Sequence, residues 1–319
     1  MERIIKPIKR EMGLFEELFI SSLRSDVPLI NQVAKYILAH KGKRLRPILV
    51  LLTSNLRGKS TKRSLRAAVI VELLHTASLI HDDVVDGSRM RRGAPSINSI
   101  WQNKVSVLIG DFLFSRALSN MLELKDQEAM KIFSSVTDRM SKGELLQIEK
   151  SLEHEIDETT YLRLVSDKTA SLMSAACELG AVTSWQKNGV DRERLRRLGE
   201  NIGIAFQIKD DVLDYTGREK IVGKPIASDI KNNKITLPLI YSLQRAPDQR
   251  KREVKGILTE RKRIKEIMDF VEEYGGLRYA EEKAKFYADK ALQILQFFPE
   301  SPYKRSLVEL VHFTVDREK

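Results

Sequence analysis

The chain has 319 residues and a single cysteine, Cys177, in the apolar run "SLMSAACELGAV", which excludes an internal disulfide and favours the reducing cytoplasm. Lysine and arginine outnumber aspartate and glutamate by 55 to 44, a net charge of +11. The basic residues are spread along the chain among acids, so no nucleic-acid partner is expected. This balance suits phosphorylated small molecules and at most peripheral contact with an anionic membrane.

The sequence lacks the apolar runs of secreted and membrane-spanning chains. The first 20 residues contain no apolar stretch typical of a secretory signal. No run of 18 apolar residues occurs, so no membrane span is expected. A cytoplasmic protein is therefore predicted.

Helical periodicity recurs along the chain, whereas strict alternation of apolar and polar residues hardly occurs, so an all-α fold is predicted. Residues 65 to 81, "LRAAVIVELLHTASLIH", are apolar almost all round with one acid, Glu72, which predicts a helix in the middle of a bundle. A helix is also predicted from about 192 to 215 by apolar residues that share one face. Gly and Pro predict breaks at Gly42, 87–96, 216–236, near Pro247 and at Gly275–Gly276. No internal repeat or long linker is present, so residues 1–319 are predicted to form one domain.

The stretch "HDDVVDGSRMRRGAP", residues 81 to 95, combines three carboxylates with three arginines. Positions i and i+4 of a helix share a face and i+1 lies beside them, so Asp82, Asp83 and Asp86 are predicted to form one patch. Three like charges destabilise a helix unless cations bridge them. Carboxylate oxygens suit Mg²⁺, and guanidinium groups bind phosphate oxygens strongly. The alternative is an ordinary solvated face with surface salt bridges.

A second acidic cluster repeats the first. "FQIKDDVLDY" places Gln207, Asp210, Asp211 and Asp214 at i, i+3, i+4 and i+7, which predicts one polar stripe on a helix. Each cluster comes at the carboxyl end of an apolar helix. If both helices line one cavity, the aspartates face each other across a gap that Mg²⁺ ions and a diphosphate fill.

With both clusters, the chain resembles the trans-isoprenyl diphosphate synthases, the polyprenyl synthetases of medium and long product length, over nearly its whole length. Six motifs in the family's order carry the resemblance: "GKRLRP" (42–47), "HDDVVDGSRMRRGAPSIN" (81–98), "GELLQ" (143–147), "DKTASL" (167–172), "GIAFQIKDDVLDY" (203–215) and "GKPIASDIKNNKITLPLI" (223–240). The sequence departs from the family's pattern at Ala227 and Asn233, where many members carry glycine.

The resemblance implies a helical bundle of the isoprenoid synthase type with a central cavity, a homodimer, and a magnesium-dependent prenyltransferase. It implies about three Mg²⁺ per active site, with Asp82, Asp86 and Asp210 as metal ligands. The catalytic residues it implies are Asp82, Asp83, Asp86, Lys168, Asp210, Asp211 and Asp214.

The resemblance also assigns the two substrates. The allylic diphosphate is assigned to Arg91, Lys168, Thr169, Gln207, Lys224 and Lys234, and isopentenyl diphosphate to Lys43, Arg46, His75 and Arg92. The allylic bond then ionises, isopentenyl diphosphate adds to the cation, and the departing diphosphate accepts the proton.

Several of these residues have plainer explanations. Lys43, Arg44 and Arg46 also fit an ordinary basic helix start, and His75 fits a core histidine. Asp83 and Asp211 fit partners that orient the ligands without binding metal. The C-terminal "DREK" fits a frayed tail, or a tail that folds over the isopentenyl site through Arg317 or Lys319.

Product length is predicted from small residues on the helix that carries Asp82. Ser78 and Ala77 come four and five residues before it, about 6 to 8 Å further along the helix axis. Short-chain members of the family tend to have aromatic residues there, so a product longer than C20 is predicted. Phe133 is a candidate floor of the tunnel, or else plain core.

Two alternatives remain open from sequence. A farnesyl or geranylgeranyl diphosphate synthase differs from the prediction only in product length. A non-catalytic prenyl-binding subunit belongs to another class of protein. Such subunits usually lose an aspartate cluster, whereas all six carboxylates are present here.

Overall fold

Helices make up almost all of the regular structure, which confirms the predicted all-α class. The structure is a computed structural model, and the described part comprises residues 1–153, 155–185, 189–216, 230, 234–260 and 263–317, with the side chains of 259 and 260 excluded. The predicted helices 65–81 and 192–215 are present and extend further than predicted, to Lys62–Val85 and Gly189–Thr216.

The helices and strands of the described residues are as follows. They are α1 (Glu2–Ile5), a 3₁₀ turn (Lys6–Ile8), α2 (Lys9–Ser22), α3 (Pro28–Ala39), α4 (Leu45–Ser54), α5 (Lys62–Val85), β1 (Met90–Arg91), β2 (Ala94–Pro95), α6 (Ile97–Glu123), α7 (Gln127–Glu153), α8 (Glu158–Val165), a π-helical turn (Ser166–Ala170), α9 (Ser171–Val182), α10 (Gly189–Thr216), α11 (Leu237–Arg245), α12 (Asp248–Glu260), α13 (Ile264–Glu273), α14 (Gly276–Leu295) and α15 (Pro302–Asp316).

The chain divides into two compact units. Unit 1 consists of Met1–Val136, Leu172–Gly199 and Leu292–Leu310, and unit 2 of Thr137–Ser171, Glu200–Ala291 and Val311–Lys319. The first aspartate cluster belongs to unit 1 and the second to unit 2. That residues 1–319 form one domain stays a prediction.

Helix α5 is the central element of unit 1. It begins with a capping box, in which the Thr61 hydroxyl accepts from the Ser64 backbone N–H and the Ser64 hydroxyl accepts from the Thr61 N–H. Its apolar residues from Leu65 to Leu74 are buried on all sides, and α2, α4 and α6 pack against the helix. The helix ends in a tight hairpin of β1 and β2, whose central residues Arg92 and Gly93 have φ values of 54° and 75°. The hairpin lies within the predicted break at 87–96.

The core of unit 2 that bears on the site is formed by α8, the π-helical turn, the second half of α10, and α11. It includes the buried side chains Tyr161, Val165, Ala170, Ile204, Ile208, Val212, Leu237 and Ile240. Short π-helical turns inside α-helices are often found at functional sites. This turn carries Lys168 and Thr169, two of the residues assigned to the allylic diphosphate.

Among the described residues one helix, α6, is long and apolar enough to cross a membrane by length and composition alone. One third of the residues in its most apolar window are buried inside the structure, and core helices of soluble proteins meet the same criterion. The helix also has non-helical backbone at Gln102, where φ is 69° and ψ is 164°.

Candidate active site

The first aspartate cluster lies at the carboxyl end of α5, and only two of its three carboxylates share a face. Asp82 and Asp86 are half-buried, one turn apart. Asp83 is 5% exposed, and its Oδ1 accepts hydrogen bonds from Arg91, from Nε at 2.9 Å and from Nη2. The prediction of one patch of three carboxylates is therefore wrong for Asp83, because position i+1 is rotated by about 100° around the helix.

The ion pair with Asp83 orients Arg91, a residue assigned to the allylic diphosphate. Arg91 lies on strand β1, and the tight hairpin turns the strand back towards α5. Asn98 braces the same loop by donating to the backbone carbonyls of Asp83 and Ser88, at 3.2 Å each. Asp83 thus contacts Arg91 and does not share the face of α5 on which Asp82 and Asp86 lie.

Unit 1 contains a pocket beside this cluster, with about 600 Å³ of empty space that is partly open to solvent. Helices α3 and α5, the loop before α4, and the β1–β2 hairpin line it. The lining residues are Tyr36, Ile37, His40, Lys41, Arg44, Glu72, His75, Thr76, Leu79, Ile80, Asp83, Arg91, Arg92, Ala94, Pro95, Ser96 and Ile97. Two of the four residues assigned to isopentenyl diphosphate, His75 and Arg92, are among them.

The other two residues assigned to isopentenyl diphosphate lie close by in the chain and in space. Arg46 Nη1 is 3.0 Å from His75 Nε2. A guanidinium group only donates hydrogen bonds, so His75 Nε2 is the acceptor and the imidazole is neutral. Lys43 is exposed just before α4, and Arg92 Nη1 donates to the carbonyl oxygen of His40 at 3.3 Å. The pocket therefore gathers cationic groups around a neutral histidine.

Burial is the first reason that His75 is neutral, and the neighbouring arginines are the second. Desolvation lowers the pKa of His75 well below its usual range, and the charges of Arg46, Arg92, Arg91 and Arg44 lower the pKa further. A neutral imidazole leaves the pocket's positive charge to the arginines. Because His75 stays neutral in the folded chain, it also makes the free energy of unfolding depend on pH.

We expect the free energy of unfolding to fall with acidification below about pH 6.5, partly because of His75. In the unfolded chain His75 takes up a proton near that pH, whereas in the folded chain its lowered pKa keeps it neutral. The unfolded state then binds more protons, and His75 contributes a slope of at most about 1.4 kcal/mol per pH unit. Urea unfolding followed by circular dichroism between about pH 7.5 and pH 5 measures this slope.

The variant His75→Gln should show a smaller slope than the wild type over the same range. His312→Gln is the matched control, because His312 is exposed on α15. Equal slopes for the wild type and His75→Gln would contradict the assignment of a depressed pKa to His75.

The second aspartate cluster, in unit 2, is also more buried than its spacing predicts. Asp211 is 3% exposed, and it accepts hydrogen bonds from the Tyr161 hydroxyl at 2.5 Å and from Gln207 Nε2 at 2.8 Å. Asp214 is buried as well, whereas Asp210 is half-exposed. The predicted polar stripe therefore corresponds to one accessible carboxylate, Asp210, with Asp211 held inside a hydrogen-bond network.

That network includes the residues assigned to the allylic diphosphate. The Thr169 hydroxyl donates to Gln207 Oε1 at 3.0 Å, so Thr169, Gln207, Asp211 and Tyr161 form one continuous chain of hydrogen bonds. Tyr161 was not predicted from sequence, and its segment "ETTYLRLV" carries no motif that would single it out.

Lys168 is held by the "GELLQ" motif. Its Nζ forms an ion pair with Glu144 and donates to Gln147 Oε1 at 3.2 Å. Of the lysines in the later loop, Lys234 is half-buried and Lys224 lies outside the described residues.

The π-helical turn around Lys168 is anchored by Arg139. The guanidinium group of Arg139 donates to Asp167 Oδ1 at 2.7 Å, to the Ser166 hydroxyl at 2.8 Å and to Glu200 Oε1 at 3.0 Å. These contacts connect α7 to the turn and to α10. Arg139 therefore fixes the backbone from which Lys168 and Thr169 project.

The C-terminal Arg317 contacts the second cluster within unit 2. Its Nη2 lies 2.8 Å from Asp210 Oδ1 and donates to the carbonyl oxygen of Phe206 at 2.7 Å. The guanidinium carbon is 3.8 Å from the centroid of the Phe206 ring. Arg317 is thus an ordered counter-ion of Asp210 and not part of a frayed end, while Lys319 lies outside the described residues.

The carboxylates fit magnesium by the chemistry of their donor atoms. Within the described residues no three His, Cys, Asp or Glu side chains are grouped to hold a metal ion. Asp82, Asp86 and Asp210 nevertheless offer partly exposed carboxylate oxygens. Mg²⁺ commonly binds through one or two carboxylates and completes its shell with water and substrate phosphate oxygens. These carboxylates therefore fit a magnesium ion that binds together with a phosphorylated substrate.

The residues assigned to chain length lie in unit 1. Ala77 on α5 is 2% exposed, and Ser78 is half-buried with its hydroxyl donating to the His75 carbonyl oxygen at 2.9 Å. Phe133 on α7 is buried, and its ring centroid lies 5.9 Å from that of Phe114 on α6. The two positions before Asp82 are therefore small, as the sequence shows, and Phe133 packs in an aromatic pair.

Comparisons with known proteins find similarity over nearly the whole chain. A family model described as polyprenyl synthetase matches residues 27–274. An all-trans-nonaprenyl-diphosphate synthase (geranyl-diphosphate specific) of Rhodobacter capsulatus is 35% identical over 98% of this chain and 97% of its own length. An octaprenyl diphosphate synthase of Escherichia coli is 32% identical over 100% of this chain and 99% of its own.

A solved structure is similar over the same extent. The polyprenyl synthase of Caulobacter crescentus, crystallised with calcium and isoprenyl diphosphate, superposes with a TM-score of 0.94 at 34% identity. The alignment covers 100% of this chain and 98% of that one.

Proposed function

Because the chain belongs to the polyprenyl synthetase family and is a prenyltransferase, we propose that it condenses isopentenyl diphosphate head to tail with an allylic diphosphate to give a trans-polyprenyl diphosphate longer than C20. The observation that carries this proposal is full-length similarity to synthases named for octaprenyl and nonaprenyl products. Mass spectrometry of the product made by the purified chain from farnesyl diphosphate, isopentenyl diphosphate and Mg²⁺ tests it. A product of C20 or shorter, or no product, would contradict it.

The allylic diphosphate is held by cationic and polar groups from the motifs. Arg91, Lys168, Thr169, Gln207, Lys224 and Lys234 contact its phosphate oxygens, and Asp82, Asp86 and Asp210 hold the metal. Prenyl diphosphate synthases of this family are generally Mg²⁺-dependent. About three ions per site, when bound, stabilise the charge that develops on the departing diphosphate.

The transfer itself breaks one bond and forms another. The allylic C–O bond breaks with its electron pair going to diphosphate, and the double bond of isopentenyl diphosphate forms a C–C bond to the resulting allylic cation. Lys43, Arg46, His75 and Arg92 hold isopentenyl diphosphate for this step. The released diphosphate accepts the proton that restores a double bond, because the motifs contain no dedicated side-chain base.

Two alternatives are less well supported. Several solved structures of geranylgeranyl diphosphate synthases superpose on this chain with TM-scores between 0.85 and 0.90. A short-chain synthase is therefore the second candidate. The small residues Ala77 and Ser78 favour the longer product. A non-catalytic prenyl-binding subunit is disfavoured because both aspartate clusters are complete.

A homodimer is part of the proposal, and the exposed face of α6 supports it. Val107, Phe114, Leu118 and Leu122 recur at helical spacing on one side of α6 and are exposed by 38% to 60%. Contiguous exposed apolar side chains of this kind mark protein–protein interfaces. Peripheral contact with an anionic membrane and a cytoplasmic location stay predictions.

Replacing Leu118 by glutamate is expected to dissociate the dimer, because a charge would be buried without a partner at the centre of an apolar interface. Sedimentation velocity should then detect a species near the chain mass of 36.6 kDa. Leu14→Glu on α2 is the matched control, since Leu14 is equally exposed at 39% and lies away from α6 in the sequence. A Leu118→Glu protein that sediments as a dimer would exclude this face.

A further inference from the structure

Arg44 lines the pocket of unit 1 but has no role in the chemistry proposed above. It is 7% exposed, and its Nη1 donates to Glu72 Oε1 at 2.6 Å. Glu72 is itself only 4% exposed. The guanidinium carbon also lies 4.5 Å from the centroid of the Phe19 ring, and Nε lies 3.4 Å from Glu16 Oε1. Arg44 and Glu72 therefore form a buried ion pair beside the pocket.

Stability alone does not explain this ion pair. Removing two ions from water costs several kcal/mol each, and well-packed apolar residues of similar volume often serve as well or better. The pair is also incompletely satisfied, since Arg44 Nη2 is buried without a hydrogen-bond partner among the described residues. A buried ion pair is weak evidence for stability, so this pair is explained better by what it holds in place.

The backbone at Arg44 supplies the first reason. Its φ of 55° and ψ of 36° lie in the left-handed region, which costs a residue other than glycine roughly 1–2 kcal/mol. Arg44 immediately precedes α4, so this turn sets the direction in which α4 begins. The ion pair with Glu72 holds the strained turn in place.

The residues around the turn supply the second reason. Lys43 precedes Arg44, and Arg46 is the second residue of α4. At Gly42 an added Cβ would lie only 2.5 Å from Arg92 Nη2, so the turn passes directly against the guanidinium group of Arg92. Three of the four residues assigned to isopentenyl diphosphate thus depend on the position of this turn.

Helix α5 supplies the third reason. Glu72 and His75 lie three residues apart on α5 and both line the pocket. His75 receives the contact from Arg46 Nη1 at 3.0 Å. One ion pair therefore connects the turn that carries Lys43 and Arg46 to the helix that carries His75.

We propose that Arg44 and Glu72 are positioning residues for isopentenyl diphosphate, an inference that rests on the proposed function. The pair sets the first turn of α4 against α5 so that Lys43, Arg46, His75 and Arg92 converge on one diphosphate. Because the pair is neutral, it positions these groups without adding to the positive charge of the pocket. It acts on the isopentenyl substrate and not on the allylic one.

Steady-state kinetics of three variants test the proposal. Glu72→Gln and Arg44→Met should each raise the KM for isopentenyl diphosphate about 10- to 100-fold, because the binding groups on α4 and α5 are no longer held in position relative to one another. The double variant Arg44→Met/Glu72→Met removes both ions and should recover thermal stability. Its KM for isopentenyl diphosphate should remain raised, while the KM for the allylic diphosphate stays within about twofold of the wild type.

The double variant keeps the test decisive if a single variant fails to fold. A double variant with wild-type stability and a wild-type KM would show that the pair is merely structural and would overturn the proposal. Glu178→Gln is the matched control, since Glu178 is also a buried acid of unit 1 and pairs with Arg192 at 2.5 Å. It should lower the melting temperature without changing the KM for isopentenyl diphosphate.

A binding measurement separates this proposal from the proposed function. Absence of prenyl transfer by the wild type would contradict the function and leave the pocket to be tested directly. Calorimetric titration of inorganic pyrophosphate should then show binding to the wild type and weaker binding, by about tenfold or more, to the double variant. Equal affinities, or no binding to either protein, would overturn the positioning role.

Discussion

Asparagine in place of Asp82 or Asp210 is expected to lower kcat by about 10²–10³-fold, the loss typical when one preorganised electrostatic group is removed from a charged transition state. Both carboxylates are partly exposed and lie on helices whose buried faces are apolar, so the neutral variants should fold. Rates measured at saturating substrates and Mg²⁺ report the loss. The effect should be largest at these two positions and at Asp86, because these carboxylates are accessible to a metal.

The matched control is Asp138→Asn. Asp138 is an exposed carboxylate on α7 whose partner is Lys142 at 2.8 Å, one turn away. The Asp138→Asn variant should have the same kcat as the wild type. Near wild-type rates for Asp82→Asn or Asp210→Asn in a folded protein would contradict the assignment of metal ligands.

The buried aspartates should behave differently. Asp83 holds Arg91, and Asp211 is held by Tyr161 and Gln207. Each therefore contacts a residue that we propose binds the allylic diphosphate, so we expect its loss to weaken binding of that substrate through the neighbour. Each D-D-x-x-D cluster thus contains both partly exposed and buried carboxylates: Asp83 is the buried one in the first, and Asp211 and Asp214 are buried in the second.

The sequence was sufficient to predict helices at 65–81 and 192–215, because helical periodicity depends on local spacing. The apolar run at 65–81 predicted α5, and the face shared by Leu195, Leu198, Ile202 and Phe206 predicted α10. Helical spacing does not say which element will pack against a given side chain. The rotation of Asp83 towards Arg91 needs the hairpin, whose turn has Arg92 at a positive φ.

Two contacts could not be predicted from sequence, because each joins residues that are far apart in the chain. Tyr161 reaches Asp211 across 50 residues of chain, and Arg44 reaches Glu72 across 28. Neither contact follows from local periodicity. Glu72 did leave a signal, since it is the one acid in an otherwise apolar stretch, and a lone buried acid requires a cationic partner. Its partner Arg44 lies inside the motif "GKRLRP", 28 residues earlier in the chain.

Larger side chains at Ala77 and Ser78 are expected to shorten the product towards C15 or C20. A growing prenyl chain extends away from the diphosphate end, and both residues lie about 6 to 8 Å along α5 from Asp82. Phe at the fully buried Ala77 costs about 1–3 kcal/mol through overpacking, so the half-buried Ser78 is the better site. Mass spectrometry of products from Ser78→Thr, Ser78→Leu and Ser78→Phe should show a length that falls as the side chain grows.

Phe133 should produce the opposite change if it is the floor of the same tunnel. Phe133→Leu removes part of the ring that packs on Phe114 and should lengthen the product, at a smaller cost in stability than Phe133→Ala. A shift in both directions, shorter from Ser78→Phe and longer from Phe133→Leu, requires that the two side chains border one apolar channel. An unchanged product length from Ser78→Phe would contradict the proposed channel. An unchanged product length from Phe133→Leu would show that Phe133 is an ordinary core residue and does not limit product length.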